Sequence, residues 1–248
     1  MFYAYLRTLV YNLFWAMNGN IKLNRKEKLL SPDENYVFVA PHRSFLDPIF
    51  MGYAARPKQF IFMAKKELFR DRAFGWWIRM CGAFPIDREN PGTDAIRYPV
   101  KILKKGTRSL VMFPSGSRHS DDVKGGVAVI AKTAKVKIMP MVIDGPNKFK
   151  DIFKSDRLDI TFSDPIDVSD IKRMDDEGLA EVSRRIEEAF ADAHAYNQTI
   201  PDRHKRPHPL TYLYRIPFFL FLLLVLAGTY LFSFIASFFW KPEKHRKD

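Results

Sequence analysis

Six short apolar runs, each separated from the next by residues with helical spacing, constrain this chain more than any other feature. The runs are Tyr36–Ala40, Gln59–Met63, Phe84–Asp87, Ser109–Phe113, Lys137–Ile143 and Leu158–Phe162. Ile49–Ala55, Phe74–Met80, Ala95–Lys104, Val127–Ala134 and Ser169–His194 read as helices. In the last of these, Leu179, Val182, Ile186, Phe190 and Ala193 recur every three or four residues, and Ser169 or Asp170 can cap the start. Such alternation predicts an α/β fold with a mixed, partly parallel sheet flanked by helices. The chain shows no internal repeat. With 248 residues, 47% hydrophobic and 15% aromatic, it has material for a real core, which argues against disorder.

Both ends look membrane-active. Pro217–Trp240 holds no charged side chain, and as a helix it would extend ~36 Å, enough for a ~30 Å hydrocarbon layer. Arg203, Lys205, Arg206 and Arg215 precede it, and Lys241, Lys244, Arg246 and Lys247 follow, so the charges leave its orientation open. Tyr212, Tyr214 and Trp240 occupy positions suited to interfacial aromatics. A single transmembrane helix and a hairpin turning near Gly228 both fit. Residues 2–17 carry one charge, Arg7, and are followed by basic residues without a small-residue cleavage site. They suit a helix lying in the membrane interface, or an ordinary first helix packed on the domain.

The expected organisation is therefore an N-terminal interface helix (1–23), an α/β domain (24–195) and a proline-bearing linker (196–216). A hydrophobic membrane segment (217–240) and a basic tail (241–248) complete it. The membrane segment is expected to be an accessory anchor separate from the chemistry.

A formal net charge of +12 implies an anionic partner. No nucleic-acid-binding module is visible, and much of the basic charge flanks apolar segments, which favours an anionic bilayer surface over nucleic acid. A single cysteine, Cys81, excludes an internal disulfide framework, and the six histidines are scattered, so no metal site is expected.

The chemistry concentrates in four blocks beside the expected strands. Pro41-His42-Arg43-Ser44-Phe45-Leu46-Asp47-Pro48 follows the buried run Tyr36–Ala40. It places a histidine and an aspartate in one turn with four residues between them, a usual way to build a general base with an orienting partner. Local structure offers another reading: Asp47 as a helix cap before Pro48, or Ser44 and Asp47 as a variant capping box. The second block is Gly82-Ala83-Phe84-Pro85-Ile86-Asp87-Arg88-Glu89, and the third Phe113-Pro114-Ser115-Gly116-Ser117-Arg118. Each has an arginine just past a strand and a glycine nearby, an arrangement suited to a phosphate. The fourth is Ile138-Met139-Pro140-Met141-Val142-Ile143.

In order and spacing these four blocks resemble the glycerolipid acyltransferases of the His-x₄-Asp type, specifically the 1-acylglycerol-3-phosphate acyltransferases. The resemblance covers residues 40 to about 145. It implies transfer of a fatty acyl group from a thioester to the hydroxyl of a lysophosphatidate, giving phosphatidate at the cytoplasmic face of the cell membrane. His42 would be the general base and Asp47 its orienting partner, with no enzyme nucleophile required. Arg88 and Arg118 would hold the acceptor phosphate, Lys65 and Lys66 would add contacts, and Gly116 would let the backbone approach the ligand. Backbone N–H groups at Arg43–Phe45 would serve the oxyanion. No resident cofactor is implied, since acyl-CoA or acyl carrier protein is a co-substrate. This chain departs from the family where Ser115 replaces glutamate and Ser117 replaces threonine. The glutamate's contact is therefore not carried over, although Asp121 and Asp122 lie close. Rival readings are acylation of another acceptor (glycerol-3-phosphate or another lysolipid), a thioesterase, and a non-catalytic lipid-binding membrane protein. Paired arginines count against the thioesterase, and an intact His42–Asp47 pair against the non-catalytic protein.

Overall fold

The computed structural model describes residues 2–87, 92–115, 125–145, 151, 157–201 and 208–239. Along the chain run α1 (Phe2–Met17), β1 (Ile21–Asn24), β2 (Tyr36–Val39), α2 (Asp47–Ala54), β3 (Gln59–Lys65), α3 (Arg72–Met80) and β4 (Ala83–Ile86). Then follow α4 (Asp94–Lys105), β5 (Arg108–Met112), α5 (Gly126–Ala134), β6 (Lys137–Asp144), β7 (Leu158–Phe162), α6 (Asp176–Thr199) and α7 (Thr211–Phe239).

The seven strands form one sheet in the order β1-β7-β6-β2-β5-β3-β4. Every neighbouring pair is parallel except β6 and β7. β2 lies between β5 and β6, and all four of its residues are fully buried. Tyr36 and Phe38 pack on one face of the sheet with Phe14, Phe50, Phe60 and Phe162. Val37 and Val39 pack on the other with Val100, Leu110, Val127, Ile130 and Ile186. The period of two along a strand makes β2 supply both cores. Helices α1 and α2 cover the first face, and α4, α5 and α6 the second.

The six expected strands form within two residues of their expected limits. β1 was not expected: Ile21-Lys22-Leu23-Asn24 is an edge strand with only two apolar residues, and its pairing with β7 supplies what its composition lacks. Helix α6 starts later than expected, because Asp175, whose carboxylate accepts from Gly178 N, caps it in place of Ser169 or Asp170. It then runs on to Thr199, into the stretch expected to be linker.

The C-terminal segment forms one unbroken helix through Gly228, which rules out the hairpin. Nor is it detached from the domain. α7 packs along α1 and α3, with Leu222 in a cluster that holds Leu6, Leu9 and Ala16 of α1. Buried Arg215 donates to the carbonyls of Trp15 and Ala16 at 2.7 and 3.1 Å, capping α1.

Two motif residues have structural explanations. Gly82 turns the chain from α3 into β4 with φ +91°, and a Cβ there would lie 2.4 Å from the carbonyl oxygen of Phe60. Its close approach is thus to β3 rather than to a ligand. Pro140 sits where β6 stops pairing with β2 and begins pairing with β7, a point that tolerates a missing N–H. Gly82→Ala should therefore destabilise the fold by at least about 2 kcal/mol, as expected for strain at a special backbone conformation. Denaturant unfolding monitored by circular dichroism measures it.

Candidate active site

Five adjacent strands, β6, β2, β5, β3 and β4, run parallel, so their C-terminal ends share one edge of the sheet. The chain leaves β2 towards β3 across one face, and leaves β5 towards β6 across the other. A reversal of this kind opens a crevice at the strand ends, the usual place for ligands in open α/β sheets. All four sequence blocks meet this edge. Val39 of β2 aligns with Met112 of β5 and with Pro140 of β6, so the first and third blocks leave the sheet side by side, next to the fourth, which lies within β6.

At the end of β2 the chain turns through Pro41 and His42 into α2. His42 Nδ1 lies 3.0 Å from Asp47 Oδ2. The same oxygen accepts from the backbone N–H groups of Arg43 and Ser44, each at 2.7 Å. Asp47 is buried, and His42 has 10% of its side chain exposed. With the carboxylate accepting from Nδ1, the His42 tautomer leaves the Nε2 lone pair to take a proton. Phe113, which opens the third block, stacks on the imidazole with centroids 4.0 Å apart and planes 18° from parallel. The ring is thus fixed by a hydrogen bond at one nitrogen and by an aromatic face beside it.

Asp47 also does what a capping residue does. It reaches back to Ser44 N while Ser44 Oγ accepts from Leu46 N at 3.2 Å, a modified capping box in which the hydroxyl bonds to Leu46 instead of residue 47. The carboxylate thus contacts the imidazole and closes the turn at once. Of the amides expected at Arg43–Phe45 to serve an oxyanion, those of Arg43 and Ser44 are engaged by Asp47.

Lys65 ends β3 and Lys66 follows it, two strands along the same edge from β2. Lys66 pairs with Asp87 of the second block, and Lys65 Nζ lies 3.8 Å from Glu67. Ser115 is buried in the turn after β5. Arg88, Gly116, Ser117 and Arg118, with Asp121 and Asp122, lie outside the described residues.

Sequence reasoning missed a polar chain behind the motif. Arg43 donates to the carbonyl of Ile143 at 2.7 Å and lies 3.4 Å from Asp144 Oδ1, tying the first block to the end of β6. Asp144 Oδ2 receives His194 Nδ1 at 3.1 Å and also Asn197 Nδ2, both from the last turns of α6. Asn197 continues to Thr161 of β7. Burial opposes ionisation of Asp144. Hydrogen bonds from His194 and Asn197, with the charges of His194 and Arg43, outweigh it and hold the carboxyl below its ordinary range. A signal was present in the sequence, since His194 and Asn197 share one face of a helix, but their partner lies fifty residues away.

Because this chain of contacts holds the loop carrying His42, Asp144→Ala should lower the turnover number of the expected reaction by about ten- to a hundredfold, the cost of misplacing a catalytic group by ~1 Å. Steady-state kinetics on protein with unchanged circular dichroism test it. The depressed carboxyl contributes stability that is present above the ordinary carboxylate range, near 3.8, and lost as pH falls through the lower folded value. Asp144→Asn should accordingly melt below wild type at pH 7, and the two Tm values should converge as the pH falls through the lowered folded value.

The acyltransferase family model matches residues 20–144. The chain is 54% identical over 250 residues to the 1-acyl-sn-glycerol-3-phosphate acyltransferase of Streptococcus pneumoniae, an alignment covering 100% of this chain and 94% of the relative. It is 35% identical to the Bacillus subtilis protein of the same name, over 64% of this chain and 80% of that one. The crystal structure of the 1-acyl-sn-glycerophosphate acyltransferase of Thermotoga maritima superposes with a TM-score of 0.61 at 20% identity, covering 81% and 83% of the two chains, a likeness of fold. The chain belongs to the acyltransferase family, in its 1-acyl-sn-glycerol-3-phosphate acyltransferase group.

Proposed function

We propose that this protein transfers a fatty acyl group from a thioester to the free hydroxyl of 1-acylglycerol 3-phosphate, forming phosphatidate. The observation that carries the reading is the His42–Asp47 contact of 3.0 Å at the C-terminal edge of a parallel sheet. The activity printed for the Streptococcus pneumoniae relative, aligned over the whole of this chain, supports the same substrate.

In the proposed reaction His42 Nε2 takes the proton of the acceptor hydroxyl as its oxygen attacks the thioester carbonyl. A C–O bond forms, the tetrahedral intermediate collapses, the C–S bond breaks, and the imidazolium returns the proton to the departing thiolate. Asp47 holds the ring and stabilises the imidazolium, the logic of a serine-hydrolase triad with the substrate alcohol in place of serine. An enzyme nucleophile is unnecessary. Burial pushes the Cys81 thiol up to about 12, so Cys81 is poorly placed to act as one. Arg88 and Arg118 bind the acceptor phosphate, Lys65 and Lys66 add contacts, and Gly116 and Ser117 of the third block also take part in substrate binding. The donor is acyl-CoA or acyl carrier protein, approaching from the cytoplasmic side of an anionic membrane.

Ser115 favours one second reading. A buried serine where the family has glutamate changes the acceptor side of the site, and glycerol-3-phosphate or another lysolipid is the alternative acceptor. Purified protein in detergent, offered lysophospholipids and glycerol-3-phosphate with each donor, should yield phosphatidate from lysophosphatidate by mass spectrometry. Product from glycerol-3-phosphate alone would transfer the assignment to the second reading.

His42→Ala should lose about 10²–10⁴ in turnover while keeping its fold and membrane binding. Asp47→Asn should also be severely impaired through loss of the tautomer. A folded His42→Ala protein retaining half its turnover would remove the general-base assignment.

A further inference from the structure

Helix α7 carries its polarity inside out. The side it turns to the protein is a stripe of Arg215, Leu222, Thr229, Ser233 and Ser237, all buried. The opposite side presents Leu213, Leu220, Leu224, Leu231 and Ile235, with Leu213 and Leu224 each 73% exposed. At about 100° per residue the two sets lie half a turn apart, and each extends ~33 Å along the axis. The hydroxyls of Thr229 and Ser233 bond back to the carbonyls of Val225 and Thr229 at 2.7 and 2.8 Å, so small satisfied side chains let the neighbouring helices come close.

The domain holds this helix near both ends. Arg215 caps α1 at one end. Tyr5 meets Thr229 at 2.7 Å, which makes α1 antiparallel to α7. Towards the other end Tyr230 reaches Asp71 at 3.5 Å, and the Arg72 guanidinium lies 4.5 Å from the Phe238 ring centroid. α1 is itself fastened flat to the domain. Arg7 donates to the carbonyls of Pro57 and Lys58 at 2.7 and 3.1 Å, Tyr11 stacks on Tyr53, and Phe14 packs on Phe50.

A spanning helix must put its ends on opposite sides of ~30 Å of hydrocarbon. From Arg215 to Phe238 is ~35 Å, and side chains of the domain touch both places. Spanning in this arrangement would drag Arg7, Asp71 and Arg72 towards the hydrocarbon with α1 and α3, at ~2.5–3.5 kcal/mol for each charge reaching its centre. Lying in the plane costs none of this and places the whole exposed face among acyl chains.

We propose that α7 does not cross the bilayer but lies in the plane of one phospholipid leaflet, its Leu213–Ile235 face buried in the acyl-chain boundary. With α1 and α3 it forms a monotopic docking face, and both ends of the helix remain on the side of the catalytic domain. The net charge of +12 suits a leaflet containing anionic lipid. Phe219 of α7 packs in the cluster containing Leu46 and Phe50 of the catalytic loop and α2, so the docking face and the site share a core.

Cysteines placed singly at Leu213, Leu220, Leu224, Leu231 and Ile235 and labelled with a nitroxide measure depth directly. The full chain is reconstituted in vesicles of phosphatidylcholine and phosphatidylglycerol, and each label's exposure to oxygen and to a water-soluble nickel chelate is read by electron paramagnetic resonance. Because Cys81 is only half-buried, the cysteines are placed in a Cys81→Ser parent, which also controls for stray reaction. All five labels should lie at one shallow depth, about 5–10 Å below the headgroups. A profile deepest near Leu224 and shallow at Leu213 and Ile235 would overturn the proposal in favour of a span. Labels in water throughout would overturn it too. Depth is read without substrate, so a failure of the proposed acyl transfer leaves the result unaffected.

Discussion

One carboxylate oxygen organises this molecule's chemistry. Asp47 Oδ2 accepts from the imidazole of His42 and from the backbone N–H groups of Arg43 and Ser44. The backbone contacts close the turn that starts α2, and the imidazole contact orients His42, the proposed base. Because one atom serves both, the position of the histidine follows from the geometry of a helix start. The helix cannot begin elsewhere without moving the base. This economy explains how a segment of eight residues carries a motif, since spacing, turn and tautomer are consequences of the same three hydrogen bonds.

That turn keeps its place because of what lies before and behind it. β2 has both faces buried and a parallel strand on each side, so its exit point is fixed by packing in every direction. Arg43 then ties the loop to the end of β6, and Asp144 ties β6 to α6 through His194 and Asn197. Phe113 completes the enclosure from the β5 side. Two of the other three blocks thus contribute to holding His42 before any contact with substrate is considered. Gly82 in the second block and Pro140 in the fourth act mainly on the backbone.

Much of this was legible in the sequence where the information is local. Apolar runs of four to seven residues marked six strands, and His42 with Asp47 announced a dyad because both lie in one turn. Legibility failed where partners are distant. β1 has too little apolar character to register alone and exists through its pairing with β7. Asp144 went unnoticed, because what gives it partners, Arg43 and His194, comes from about one hundred residues before it and fifty after it. The α6 boundary was misread for a local reason: Ser169, Asp170 and Asp175 all have capping side chains, and it is Asp175 whose carboxylate accepts from the amide three residues ahead.

The C-terminal helix shows a different limit. Hydropathy reports how much apolar surface a helix has and is nearly silent about direction. Pro217–Trp240 reads as a membrane segment by length and composition, yet Thr229, Ser233 and Ser237 stand at a spacing that selects one face, and that face meets protein. Small hydroxyl side chains with their hydrogen bonds satisfied inside the helix cost little to bury and permit close packing. Their placement on the protein side leaves an apolar stripe, Leu213 to Ile235, on the opposite one. The acceptor proposed for this site is itself a membrane lipid with a polar head and a buried tail. A domain held flat against one leaflet would meet such a molecule at the height of its headgroup, where a base such as His42 must work. Exposed Phe45 and Ile49, flanking Asp47 at the mouth of the site, extend apolar surface to the place where that lipid would enter.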